Sequence, residues 1–224
     1  MAAVILKEID MEVVIDGQSK SIDVTGIGTF NELLAHIERD CIGGGRVIVR
    51  VLLNGEELDE GQTVGLGAFP VKDITSISVE TADTLELAGE ALQDALEYLP
   101  AISMILEQSA RKIREGDVRA GLQETSEALG VIEAFGEVLD GIRGAFRIDF
   151  SKVKIDDGTL LEKLHELGKH AQNILKATKE EDWTLLADLI EYELSPLLYE
   201  WMAVVPELVS MLPGSRESSG GEAS

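Results

Sequence analysis

The 224-residue chain carries 19 basic against 42 acidic residues, a formal net charge of −23, and is 45% hydrophobic but only 4% aromatic. That length suits one large domain or two small ones, with a core built mainly from Leu, Ile, Val and Ala. The charge excludes nucleic acid and anionic membrane surfaces as partners, since a strongly acidic chain is repelled by both.

Cys41 is the single cysteine, so no internal disulfide forms. The opening residues lack the basic and long apolar regions of a signal peptide. No uninterrupted apolar run approaches the ~18 residues of a spanning helix. The expected location is cytoplasmic.

From Lys7 the chain alternates, with Ile9, Met11, Val13 and Ile15 on one side of a strand. Asp16 and Gly17 form a hairpin turn pair, and Ser21 to Val24 is predicted as the second strand. Thr29 and Glu32 have the spacing of a capping box, starting a helix with Phe30, Leu33, Leu34 and Ile37 inward. Gly43 to Gly45 end it. These glycines follow a helix and lack the Lys-Ser/Thr of a phosphate loop, so they are read as a helix stop. Arg46 to Leu53 is a third strand, Asn54-Gly55 a turn, and Glu57-Leu58 a short return. Gly61 to Pro70 reads as loop, and a last strand runs to Thr81.

This order, with the run Val49 to Leu58 and the closing Ile74 to Val79, resembles the β-grasp fold of ubiquitin-like proteins over residues 1–82. Conjugated and sulfur-carrying members of that group end in Gly-Gly after the last strand. Here that place reads Thr81-Ala82-Asp83, and Gly220-Gly221 lies far downstream. The resemblance therefore implies a docking module and not a covalent carrier.

Residues 83–212 read as helices. Leu85, Ala88, Leu92, Leu96, Leu99, Ile102, Leu106 and Ile113 mark the buried line of the first, and Pro100 is expected to kink it near Glu97 or to break it in two. Gly116 ends it and Asp117 caps the next, Val118 to Arg143. Four glycines in that helix, Gly121, Gly130, Gly136 and Gly141, each cost about 1 kcal/mol relative to alanine, which implies either close helix packing or local looseness. Phe146, Ile148 and Phe150 form an extended strap ending at Asp156-Asp157-Gly158. Thr159 to Lys179 is the third helix.

Asp182 caps the last helical stretch, where Trp183, Leu186, Ile190, Leu194, Leu197, Trp201, Val204, Leu208 and Met211 share one side. Pro196 and Pro206 predict that it is kinked or segmented. Residues 114–118 and 179–183 align as two helix-turn-helix units, which pack most simply as an antiparallel four-helix bundle. The fold class is thus α+β: a β-grasp domain (1–82), a helical bundle (83–212) and a disordered tail (213–224).

Chemistry-bearing patterns are sparse. His165 and His170 are five apart, which is not the spacing that puts two ligands on one helix face, so no metal site is expected, and no cofactor motif is present. The run His165-Glu166-Leu167-Gly168-Lys169 resembles the phospho-acceptor segment of histidine phosphotransfer domains, with Gly and Lys in inverted order. That resemblance implies His165 as the acceptor in an alternative, signalling function. Tyr192 and Tyr199, with Glu193, Glu200 and Glu207 recurring every seven residues, are predicted as the surface for a protein partner with a basic or amphipathic face, or for a homodimer. The sequence thus points to a non-catalytic bacterial adaptor, scaffold or chaperone-like protein.

Overall fold

A computed structural model describes residues 11–155 and 158–213. The predicted strand residues 7–10, the Asp156-Asp157 turn and the tail from residue 214, with Gly220-Gly221, lie outside them. The protein is mixed α+β, a five-stranded sheet followed mostly by helices, and it divides into two compact units between Leu87 and Ala88.

In the first unit β1 (Glu12–Ile15) and β2 (Gln18–Lys20) form a hairpin about Asp16-Gly17, both in the left-handed backbone region that such a tight turn requires. Asp16 also reaches β5 (Ser76–Asp83), where its carboxylate accepts from the Thr81 N–H at 2.7 Å and the Thr81 hydroxyl at 2.8 Å. The predicted second strand is shifted. The ladder ends at Lys20, and Ser21–Val24 leaves it irregularly, although Ile22 and Val24 still pack on the core.

Helix α1 (Phe30–His36) has the capping box formed by Thr29 and Glu32 and continues through a π turn, Ile37–Cys41. β3 (Arg46–Leu53) and β4 (Glu56–Leu58) turn at Asn54-Gly55, and the Asn54 side chain accepts from the backbone N–H of Thr75 and of Ser76. The sheet order is β2-β1-β5-β3-β4, with β1 and β5 parallel and the other pairs antiparallel. Phe30 and Leu33 from α1 and Ile37 from the π turn share the core with Val13, Ile15, Val51, Leu53, Ile77 and Val79 of the sheet. The segment predicted as loop contains α2 (Glu60–Gly65). Asp59 and Gln62 make a second capping box that initiates it despite Gly61.

The second unit is helical: α3 (Thr84–Glu115), whose first turn precedes the unit boundary, α4 (Val118–Phe146), α5 (Leu160–Lys179), α6 (Trp183–Leu189) and α7 (Ser195–Met211). Pro100 does not break α3. Its neighbours Leu99 and Ile102 are buried, and their packing holds the helix through the missing hydrogen bond. Leu85, predicted inward, is exposed. The last helical stretch is segmented as expected. A π turn, Ile190–Leu194, precedes Pro196, and the Ser195 N–H donates to Ile190 O across the wider ring.

Asp117 and Asp182 cap α4 and α6 alike, accepting from the N–H of Ala120 and Leu185, and each follows a residue with positive φ, Gly116 and Glu181. Of the residues predicted as an extended strap, Phe146 instead closes α4 and, like Ile148, is half-buried, and Phe150 is buried, ahead of the small hairpin β6 (Lys154–Ile155) and β7 (Gly158–Thr159). At the centre of the unit Phe135 sits edge-on between Tyr98 (6.4 Å) and Trp201 (5.3 Å).

A candidate docking groove between two helices

α4 and α5 each have a secure start. Asp117 caps α4, and Thr159 with Glu162 forms a capping box on α5. Both helices turn one apolar side to the core through Ile132, Phe135, Leu139 and Ile142 on α4 and Leu167, Ile174 and Ala177 on α5. Beside that line runs a second one that is only partly covered. Leu122 and Leu129 on α4 and Leu164 on α5 are half-buried, and Leu175 is 60% exposed. Together they wall a groove of about 810 Å³. A hollow of about 460 Å³ shares Glu133, Gly136 and Leu164 with it and extends it to Asp140, Arg143 and Leu161.

Two of the polar groups in the wall are turned to partners inside the unit. The Thr125 hydroxyl is shared between Gly121 O at 2.9 Å and Ser109 Oγ at 3.0 Å, and Thr178 donates to Ile174 O at 2.9 Å. Three glycines keep the groove wide. A Cβ added at Gly130, Gly136 or Gly168 would meet no atom within 4 Å. Gly121 differs, since its Cβ would lie 2.5 Å from Ile113 Cγ1 and 2.8 Å from Ser109 O. Of the two explanations for a glycine-rich helix, close packing applies to Gly121 and open space to the other positions.

The predicted partner surface lies on the last helical stretch. Tyr192 and Tyr199 are exposed, the first with the Arg114 guanidinium 5.6 Å from its ring centroid. Glu193 Oε2 lies 2.8 Å from His170 Nδ1, and Glu200 Oε2 lies 2.5 Å from Lys163 Nζ, so both carboxylates face α5. Glu207 makes no ion pair among the described residues. The acidic row is thus partly occupied inside the unit.

His165 is exposed at the far end of the groove, beside Glu133, Glu137, Asp140 and Arg143, with Arg143 paired to Asp140 at 2.9 Å. Cys41 is half-buried, and burial with the Asp40 charge raises its thiol above the ordinary value, which disfavours the reactive thiolate. Among the described residues no group of three or more His, Cys, Asp or Glu could hold a metal ion. The groove residues escaped sequence reasoning. The one signal pointing to them was the excess of glycine in α4.

Residues 12–82 match the model of a family described as a domain of unknown function (DUF8043), and residues 90–204 match a second, described as a domain of unknown function (DUF8042). The chain is 23% identical over 193 residues to an uncharacterized protein of Treponema pallidum (strain Nichols), an alignment covering 84% of this chain and 92% of that one. No solved structure matches it. With just over half of its length inside the second model, including the groove-lining parts of α4 and α5, the chain belongs to the DUF8042 family.

Proposed function

We propose that the chain is a non-catalytic cytoplasmic protein-protein interaction module, of adaptor, scaffold or chaperone-like kind, that docks its partner in the α4/α5 groove. The observation that carries this reading is the groove itself, a mostly apolar channel open along two helices and lined by glycines that no described residue packs against. Grooves of this kind suit a partner helix. A hollow of about 410 Å³ by Val49 and Val64 of the first unit has about half its volume and is also lined by Glu38, Arg50 and Thr63.

The accompanying architecture is a ubiquitin-like β-grasp head and an antiparallel four-helix bundle. The β2-β1-β5-β3-β4 order with a central parallel pair supports the first. The second is supported by the pairs Lys163–Glu200 and His170–Glu193, whose numbering rises on α5 as it falls on the last helical stretch. The single cysteine supports the cytoplasmic location. No helix among the described residues is long and apolar enough to cross a membrane. Phosphotransfer through His165 is the weaker reading, because a phosphohistidine there would sit beside Glu133, Glu137 and Asp140 and be repelled.

The test compares the proteins retained from source cells by the native chain and by a groove-filled variant, Gly130→Leu with Gly168→Leu. A discrete set lost from the variant is expected. Recovery of the same set by both would remove the groove as the docking surface.

A further inference from the structure

The charge along the groove is uneven. Of the charged side chains that line it, Asp140 and Arg143 neutralise each other, whereas Glu133 and Glu137 have no ion-pair partner among the described residues. Several other carboxylates of the unit are paired: Glu124 with Lys112, Asp188 and Glu191 with Arg114, and Glu200 with Lys163. The two unmatched carboxylates stand at the end nearer the α4–α5 connection. At the opposite end the lining turns to Leu122, Leu175 and Thr178.

The span is set by the helices. The lining runs from Leu122 to Arg143 on α4 and from Leu161 to Thr178 on α5. At 1.5 Å per residue these cover about 32 Å and about 26 Å, and the shorter wall is the length of a helix of about 18 residues. A second copy of this chain is a poor occupant, because two molecules of net charge −23 repel each other.

From these observations, and resting on the docking function proposed above, we infer that the occupant is a basic amphipathic helix of about five turns. Its apolar stripe of i, i+3, i+4 and i+7 residues lies against Leu122, Leu129, Leu164 and Leu175. Its Lys or Arg residues cluster toward one end, where they meet Glu133 and Glu137. The open positions at Gly130, Gly136 and Gly168 let its backbone approach closely.

The experiment uses the full chain and three fluorescein-labelled synthetic peptides of about 18 residues: an amphipathic Leu/Lys helix, a scramble of identical composition, and an amphipathic Leu/Glu helix. The Leu/Lys helix is expected to bind best. Gly130→Leu with Gly168→Leu should weaken it more than about tenfold, as filling the centre of an interface does. Glu133→Gln with Glu137→Gln should weaken it about fivefold, the scale of two exposed charge pairs. Leu175→Asp, at an exposed side chain, repeats the first test without touching the core.

If the scramble binds as tightly as the Leu/Lys helix, the attraction is only the net charge and the inference falls. If the Leu/Glu helix binds equally well and both are lost from the filled variant, the groove docks helices but the basic occupant is wrong. If no peptide responds to filling, the docking function falls too. A dimer that the groove substitutions dissociate would instead make a second copy the occupant and overturn the inference.

Discussion

Gly121 and Gly130 occupy the same helix and serve opposite purposes. Replacing Gly121 with alanine forces a Cβ against Ile113 and the Ser109 carbonyl, and it should destabilise the chain by about 1–3 kcal/mol in denaturant unfolding. Alanine at Gly130, Gly136 or Gly168 meets nothing, and each should stabilise by up to about 1 kcal/mol through helix propensity alone. Equal destabilisation at all four positions would contradict the open groove. In the first unit, the Thr81 backbone N–H and hydroxyl hold the Asp16 carboxyl below its ordinary value of 3.8. A lowered carboxyl stabilises the fold above its unfolded value and loses that contribution as pH falls through the folded one. The stability difference between the native chain and Asp16→Asn is therefore constant near neutrality and shrinks below pH 3.8. A difference independent of pH would show that the ionised carboxylate is not what matters there.

Among the elements, those with a local cause were legible in the sequence. Thr29 with Glu32, Asp117 and Asp182 start helices where their spacing says they must, and Asn54-Gly55 turns the β3–β4 hairpin. Asp59 with Gln62 carries the same signal, hidden because α2 is short and contains Gly61 and Gly65. The groove was not legible, for a physical reason. Leu122, Leu129, Leu164 and Leu175 fall on the same three-and-four spacing as truly buried residues, and periodicity cannot tell a covered stripe from an open one. Nor can it find partners distant in sequence, so Glu193 and Glu200 read as a free acidic row although His170 and Lys163 face them. The cap on α5 gives a direct test at this scale. Thr159→Ala removes the acceptor for the Glu162 N–H and should cost about 1 kcal/mol in thermal or denaturant unfolding. No change would mean that the α5 start is held by packing alone.

For the molecule as a whole, a net charge of −23 sets the terms on which any partner approaches. It favours a basic ligand at long range, and that attraction is screened by salt, so affinity for a basic helix should fall as ionic strength rises past the level where the screening length is about 10 Å. The apolar contacts in the groove are indifferent to salt, and they distinguish docking from mere attraction. The central claim is that a helix seats between α4 and α5. Methyl-resolved NMR of the full chain, titrated with the Leu/Lys helix at moderate salt, tests it most directly. The methyl signals of Leu122, Leu129, Leu164 and Leu175 should shift together and saturate, while those of Leu92 and Leu106, buried in the core of the same unit, stay in place. Binding that leaves these four groove leucines unmoved would contradict it.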